Sequence, residues 1–162
     1  MDADRADSEK LGKLIEHIKV ALLTTFDAEG QLHTRPLETL QYEANGTLWF
    51  FTDSHSPKSA ELQRDVRVSV GYADPAKHIY VAITGVGSVM RDEAKAAELW
   101  TPGQRAWYPQ GPTDERLALL RVHIEHAEYW FAPGRASYAL AAARAAITGT
   151  PATVLGENRK MR

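Results

Sequence analysis

The chain has 162 residues, 44% of them hydrophobic and 25% charged, the composition of a soluble globular domain long enough to bury a core. Its formal net charge of −2 and its lack of cysteine argue against nucleic-acid or acidic-membrane partners and exclude disulfides, thiolate metal sites and a cysteine nucleophile. The polar start MDADRADSEK leads into no apolar signal core, and no stretch reaches the length of a membrane span, so a cytoplasmic protein is expected.

Residues 1–7 are acidic and are expected to be disordered. Ser8 is placed to cap a helix in which Leu11, Leu14, Ile15 and Ile18 share one face. Residues 20–26 form a β-branched, apolar strand, and Asp27 to Gly30 form a turn. Residues 31–42 are a second strand, and Asn45-Gly46 is a strong hairpin signal. The third strand, residues 47–52, is too uniformly apolar to have one wet face. Ser56 then suits a helix N-cap, with Pro57 at the first helical position. Residues 66–72 alternate as a strand, and Asp74-Pro75 turns the chain. Residues 79–84 and 86–90 read as two strands bent at Gly85 or Gly87, and residues 92–100 as a short helix. The Pro- and Gly-rich residues 101–113 read as an irregular loop. Residues 117–124 and 128–131 are the last strands. Residues 138–147 read as an Ala-rich helix, and the tail after Gly149 carries little signal. About eight strands joined by hairpins predict a mainly β fold: a largely antiparallel β-barrel with flanking helices, a single domain over 1–162 with a helix and tail over 137–162.

Three features point to chemistry. In Phe51-Thr52-Asp53-Ser54-His55-Ser56-Pro57-Lys58 a strand end, a polar loop and a helix N-terminus follow one another. Hydroxyls, free backbone N–H groups and the Lys58 charge suit a phosphate there. The plainer alternative is a capping serine and a solvated lysine. Arg35 lies in a strand built for burial, and a guanidinium fork is a usual partner of anionic oxygen; alternatively it faces solvent. If residues 31–42 pair with 47–52, Arg35 approaches Thr52, and both signals indicate one anion site. Trp107-Tyr108, in the Pro/Gly loop, can lie against a flat ring or seal the barrel end.

Other constellations fail. His123 and His126 are expected on opposite strand faces, no HExxH pattern exists, and no metal site is predicted. Gly85-Val86-Gly87 marks a bend or bulge and not a phosphate loop. Ser137 lacks a nucleophile-elbow context. The basic residues 159–162 read as a solvated tail.

The ordered stretches LTTFDAEGQLHTRPL, GTLWFFTDSHSPKSAEL, RVSVGYAD, YVAITGVGSV, AWYPQGPTDERLALLRV, AEYWFAPG and GENRK resemble the pyridoxamine 5′-phosphate oxidase-like FMN-binding split barrels, nearest the general stress protein branch. The resemblance implies a homodimer with FMN, or FAD, at the subunit interface. It places phosphate contacts on Arg35, Thr52, Ser56 and Lys58, with Phe51 and Asp53 beside them. Backbone around Pro36, Leu37 and Glu38 would meet the isoalloxazine ring, and Tyr80 and Trp107 would reach it from the other subunit.

Two departures qualify the resemblance. Pro57 stands where the family often has an Arg, and the C-terminal segment lacks the basic substrate motif of the true pyridoxamine phosphate oxidases. The resemblance therefore implies a flavin-dependent oxidoreductase with an unassigned small-molecule redox substrate, not a vitamin B6 oxidase. The alternatives are a non-enzymatic flavin-binding stress protein, or a haem-binding split barrel with His33, His55 or His126 as axial ligand.

Overall fold

The protein is described by a computed structural model covering residues 2–131, 146–147 and 157–161. Helix α1 (Asp2–Ile15) leads into strands β1 (Val20–Phe26), β2 (Leu32–Glu43) and β3 (Thr47–Asp53). Helix α2 (Pro57–Arg64) precedes β4 (Arg67–Asp74) and β5 (Ile79–Met90). Helix α3 (Glu93–Leu99) and two 3-10 turns, Pro102–Ala106 and Gly111–Thr113, then lead to β6 (Leu117–Phe131) and β7 (Glu157–Met161).

Strands run in the order β3-β2-β1-β4-β5-β6, every pair antiparallel, and β6 returns to pair with β3. Six strands thus close a barrel, which leaves no edge between them. The two predicted hairpin turns hold: Gly30 and Gly46 sit at φ +78° and +81°, the left-handed region that glycine enters freely. Leu23, Leu48, Phe50, Val70, Ile83, Leu120 and Val122 fill the barrel, and Leu11 and Ile15 of α1 cover it.

The uniformly apolar β3 is explained by a second core. Leu48 and Phe50 face the barrel, whereas Trp49 and Phe51 face outward under α3 and the 3-10 turns, with Ala96, Tyr108, Leu117 and Leu119. Phe51 packs edge-on against Tyr108, with ring centroids 6.3 Å apart. Lys95 of α3 reaches back to Gln41 (2.8 Å) and Glu43 (3.2 Å) of β2, and the Asp92 side chain caps α3 by accepting from the Lys95 N–H at 2.9 Å.

Several expectations change. Residues 2–7 are not frayed but helical, and Ser8 is not a cap: it lies within α1, donates to the Ala44 carbonyl at 2.8 Å and bonds the Tyr42 hydroxyl. Residues 79–84 and 86–90 are one strand, continuous through Gly85, which faces a bulge at Glu125 of β6 and where a Cβ would lie 2.0 Å from the His123 carbonyl oxygen. Likewise 117–124 and 128–131 are one 15-residue strand. Its bulge switches the buried positions from Leu120 and Val122 to Ala127 and Tyr129, so His123 and His126 both lie on the exposed face and not on opposite faces. The tail supplies β7, which pairs with residues 127–131 of β6, so the described strands number seven. The predicted helix over 138–147 lies outside the described residues except at 146–147, which are helical.

Candidate functional site

β2 delivers Arg35 to the inside of the barrel end, one inward position beyond Leu37. There the guanidinium does not wait for a ligand. Nη2 donates to Glu61 Oε2 at 2.9 Å, and Nη1 donates to the Thr25 hydroxyl. Thr25 in turn donates to the same carboxylate oxygen at 2.5 Å. Glu61 comes from α2 and is buried. His33 places Nδ1 3.2 Å from Glu61 Oε1 and Nε2 3.3 Å from Asp27 Oδ2. Burial alone would raise the Glu61 pKa; the hydrogen bonds from Thr25 and Arg35 outweigh it and hold the carboxyl below its ordinary value. This cluster fastens α2 to β1 and β2.

Beside it, a groove of about 540 Å³ is lined by Pro36, Leu37 and Glu38 of β2, Phe51, Thr52 and Asp53 of β3, and Lys58 of α2. Its other wall is Gln104, Trp107, Tyr108 and Arg116. That volume is within the usual range of small-molecule sites, roughly 300–1,000 Å³. Lys58 is half-buried and has no carboxylate partner among the described residues; its Nζ donates only to Ser56 Oγ at 3.2 Å. Burial, and next the neighbouring Arg35 charge, lower its pKa, against smaller opposing effects of Asp53 and Glu61. Thr52 is 2% exposed, and its buried hydroxyl has no hydrogen-bond partner among the described residues, a state costly enough to be uncommon. Burial, and then the Asp53 carboxylate, push Tyr108 up to about 12, so its hydroxyl stays protonated at neutral pH.

Eight of the eleven residues singled out from sequence therefore line one groove: Pro36, Leu37, Glu38, Phe51, Thr52, Asp53, Lys58 and Trp107. Arg35 lies next to Lys58 but outside the lining. Ser56 precedes α2 without a side-chain bond to a helix N–H, and its Oγ meets Lys58 and Ser59 instead. Tyr80 is on the outer face of β5, paired with Trp130 and away from this groove. Trp107, expected from a second subunit, lines the groove of its own chain and is 73% exposed.

Glu61, Thr25, Gln104 and Arg116 carry no site signal in the sequence, whereas Tyr108, read with Trp107 as a possible ring contact, does line the groove. Glu61 sits in a short helix where a lone Glu reads as solvated, and only the fold brings it under Arg35. Among the described residues no group of three or more His, Asp or Glu could hold a metal.

An orphaned buried hydroxyl and an unpaired lysine at a helix start fit an anionic group such as a phosphate. The apolar strip Pro36–Leu37, with Trp107 opposite, fits a flat ring. The sequence matches the family described as pyridoxamine 5′-phosphate oxidase like over residues 6–152. The chain belongs to that family.

Among solved structures, the general stress FMN/FAD binding protein of Xanthomonas citri is 30% identical, with a TM-score of 0.67 over 78% of this chain and 89% of that one. A candidate general stress protein 26 from Jannaschia sp. is 21% identical and superposes over 96% of this chain and 98% of its own, with a TM-score of 0.74. General stress protein 26 of Bacillus anthracis is 20% identical, with a TM-score of 0.68 over 75% and 92%. These last two show the fold, which is the family's split barrel. No curated protein matches the chain.

Proposed function

We propose that this chain binds FMN in the groove between β2, β3 and the 3-10 turns and acts as a flavin-dependent oxidoreductase. The single observation that carries the reading is the juxtaposition of unpaired Lys58 with the orphaned Thr52 hydroxyl at the start of α2. Those two groups and the Lys58 backbone N–H would hold the phosphate, since Pro57 has no N–H and those of Ser59 and Ala60 donate to the Ser56 carbonyl. Pro36, Leu37, Glu38 and Trp107 would hold the isoalloxazine ring. Bound flavin supplies the electron transfer, and the chain supplies orientation, charge and exclusion of water. FAD fits the same reading if its adenylate leaves by the open phosphate end; the 30% identical Xanthomonas protein is named for both flavins.

The working unit in this reading is a homodimer. Val20, Leu22, Tyr80 and Trp130 are large, exposed and apolar. The register places Leu22 beside Pro36 and Gly71, and Tyr80 beside Trp130. Val20 and Pro36 also line the groove, so this patch is continuous with the cofactor site, and a twofold copy covers both at once. Among the described residues no helix is long and apolar enough to cross a membrane, and the proposed setting is the cytoplasm. The test is purification followed by spectroscopy and light scattering: an FMN spectrum at one flavin per chain with a dimer mass supports the reading. A protein that takes up neither FMN nor FAD overturns it, and a Soret band would favour haem. Anaerobic reduction by NADH or NADPH against a substrate panel separates an enzyme from a flavin carrier.

A further inference from the structure

Arg116 immediately precedes β6 and lies beside the end of β3. Its carbonyl accepts from the Ser54 N–H at 2.8 Å, which extends the β3–β6 ladder one step past the Asp53–Leu117 pair. The backbone thus fixes Arg116 beside the loop that carries Lys58. Its side chain is 53% exposed and lines the groove. Among the described residues only one of its N–H donors is at hydrogen-bond distance: Nη2 donates to the Trp107 carbonyl at 3.2 Å. The Asp53 and Asp114 oxygens stand off at 3.7 and 3.9 Å, too far for a hydrogen bond. Asp53 already accepts the His55 N–H at 2.8 Å, and Asp114 accepts the Arg116 N–H at 3.0 Å.

The charge balance of the groove gives this arrangement meaning. A phosphate monoester carries roughly −1.5 to −2 at neutral pH. Lys58 supplies one positive charge, the Arg35 charge is answered by Glu61 inside the chain, and the Glu38 and Asp53 carboxylates of the lining add negative charge. One further cation is needed, and Arg116 is the other cationic residue of the lining.

We infer that Arg116 is a phosphate-binding residue, closing on the cofactor phosphate together with Lys58 and thereby selecting phosphorylated flavin over riboflavin. This rests on the flavin reading above. In the bound state the guanidinium keeps its Trp107 carbonyl bond, which also ties the phosphate end to the loop carrying the ring contact.

The experiment is fluorescence titration of apoprotein with FMN and with riboflavin, for wild type, Arg116→Ala, Arg116→Lys and Lys58→Ala. Arg116→Ala is expected to weaken FMN about tenfold, the low end for a charged hydrogen bond because the group is half exposed. Riboflavin affinity stays unchanged, Arg116→Lys recovers part of the loss, and added salt narrows the gap between wild type and Arg116→Ala. Equal losses for FMN and riboflavin would assign Arg116 a purely structural role in the 101–116 loop and overturn the inference, as would unchanged FMN affinity in Arg116→Ala alongside a loss in Lys58→Ala. If wild type binds FMN no more tightly than riboflavin, the phosphate-site reading itself fails, a result distinct from either.

Discussion

Arg35 and Lys58 are two cations at the same end of the barrel, near enough for the first to depress the pKa of the second. Arg35 has a buried carboxylate at 2.9 Å and a threonine hydroxyl bridging the same oxygen. Lys58 has a serine hydroxyl and no carboxylate partner among the described residues. The first arrangement is complete without a ligand and acts as a fastener between α2 and the strands. The second leaves a positive charge and the Thr52 hydroxyl unanswered, and an anion completes it. Charge type and position along the chain do not separate the two roles; the presence of Glu61 does.

The widest consequence concerns the two ends of the groove. The cations of the lining, Lys58 and Arg116, both sit beside the 53–58 segment, and the rest of the lining includes Glu38, Leu40 and Gln104. No cation besides Lys58 and Arg116 lines this groove among the described residues, so pyridoxamine phosphate is expected not to be oriented for oxidation there, which can remove many powers of ten in rate. FMN-loaded protein under air is expected to form no pyridoxal phosphate at a rate approaching 1 per second, the lower end of ordinary turnover, roughly 1–1,000 per second; turnover in that range contradicts the assignment of the two ends.

Removing the fastener should affect the fold more than the ligand. Glu61→Ala leaves Arg35 beside Lys58 with no counter-charge and is expected to cost about 3 kcal/mol in urea unfolding. The same cluster sets an acid limit. Because the folded pKa of Glu61 is lowered, its contribution is fully present above the unfolded value, about 4.3, and is lost as pH falls through the folded value. Wild type should therefore lose stability more steeply than Glu61→Gln below about pH 4.3; parallel curves would show that the carboxylate is not the group concerned.

Arg35→Ala sharpens the contrast. If its charge is spent on Glu61, FMN affinity falls less in Arg35→Ala than in Lys58→Ala, while unfolding stability falls more. The reverse ranking in paired titrations and denaturation curves would exchange the two roles. The smallest effect is expected at the ring: Trp107→Ala removes one aromatic contact worth about 1 kcal/mol, so FMN and riboflavin should both weaken about fivefold, unlike the phosphate-end variants.

Much of this was legible in the chain. The hairpins at Gly30 and Gly46, the doubly apolar β3 and the start of α2 at Pro57 are local signals, and the structure keeps each. What was not legible depends on non-local contact. Gly85 reads as a break because its role, a close approach to the His123 carbonyl, belongs to another strand. The β7 sequence ENRKM has no apolar alternation because it adds to the β6 edge outside the barrel closure. The charged start of α1 hides a helix, and Arg116, between the 101–113 loop and the strand from 117, carries no local mark of a site. In the site, the residues that line the groove were visible as a motif, but the partner that neutralises Arg35 was not, since a single Glu in a short helix carries no mark of burial.

The central claim is that Lys58, without a carboxylate partner among the described residues, holds the phosphate of a flavin. The most direct measurement is the ratio of FMN to riboflavin affinity in wild type and in Lys58→Ala, each read by fluorescence quenching at low salt. A charged hydrogen bond of about 1.5–3 kcal/mol predicts that wild type prefers FMN by at least tenfold and that Lys58→Ala loses ten- to a hundredfold of that preference with riboflavin binding intact. A ratio unchanged by Lys58→Ala would contradict the account.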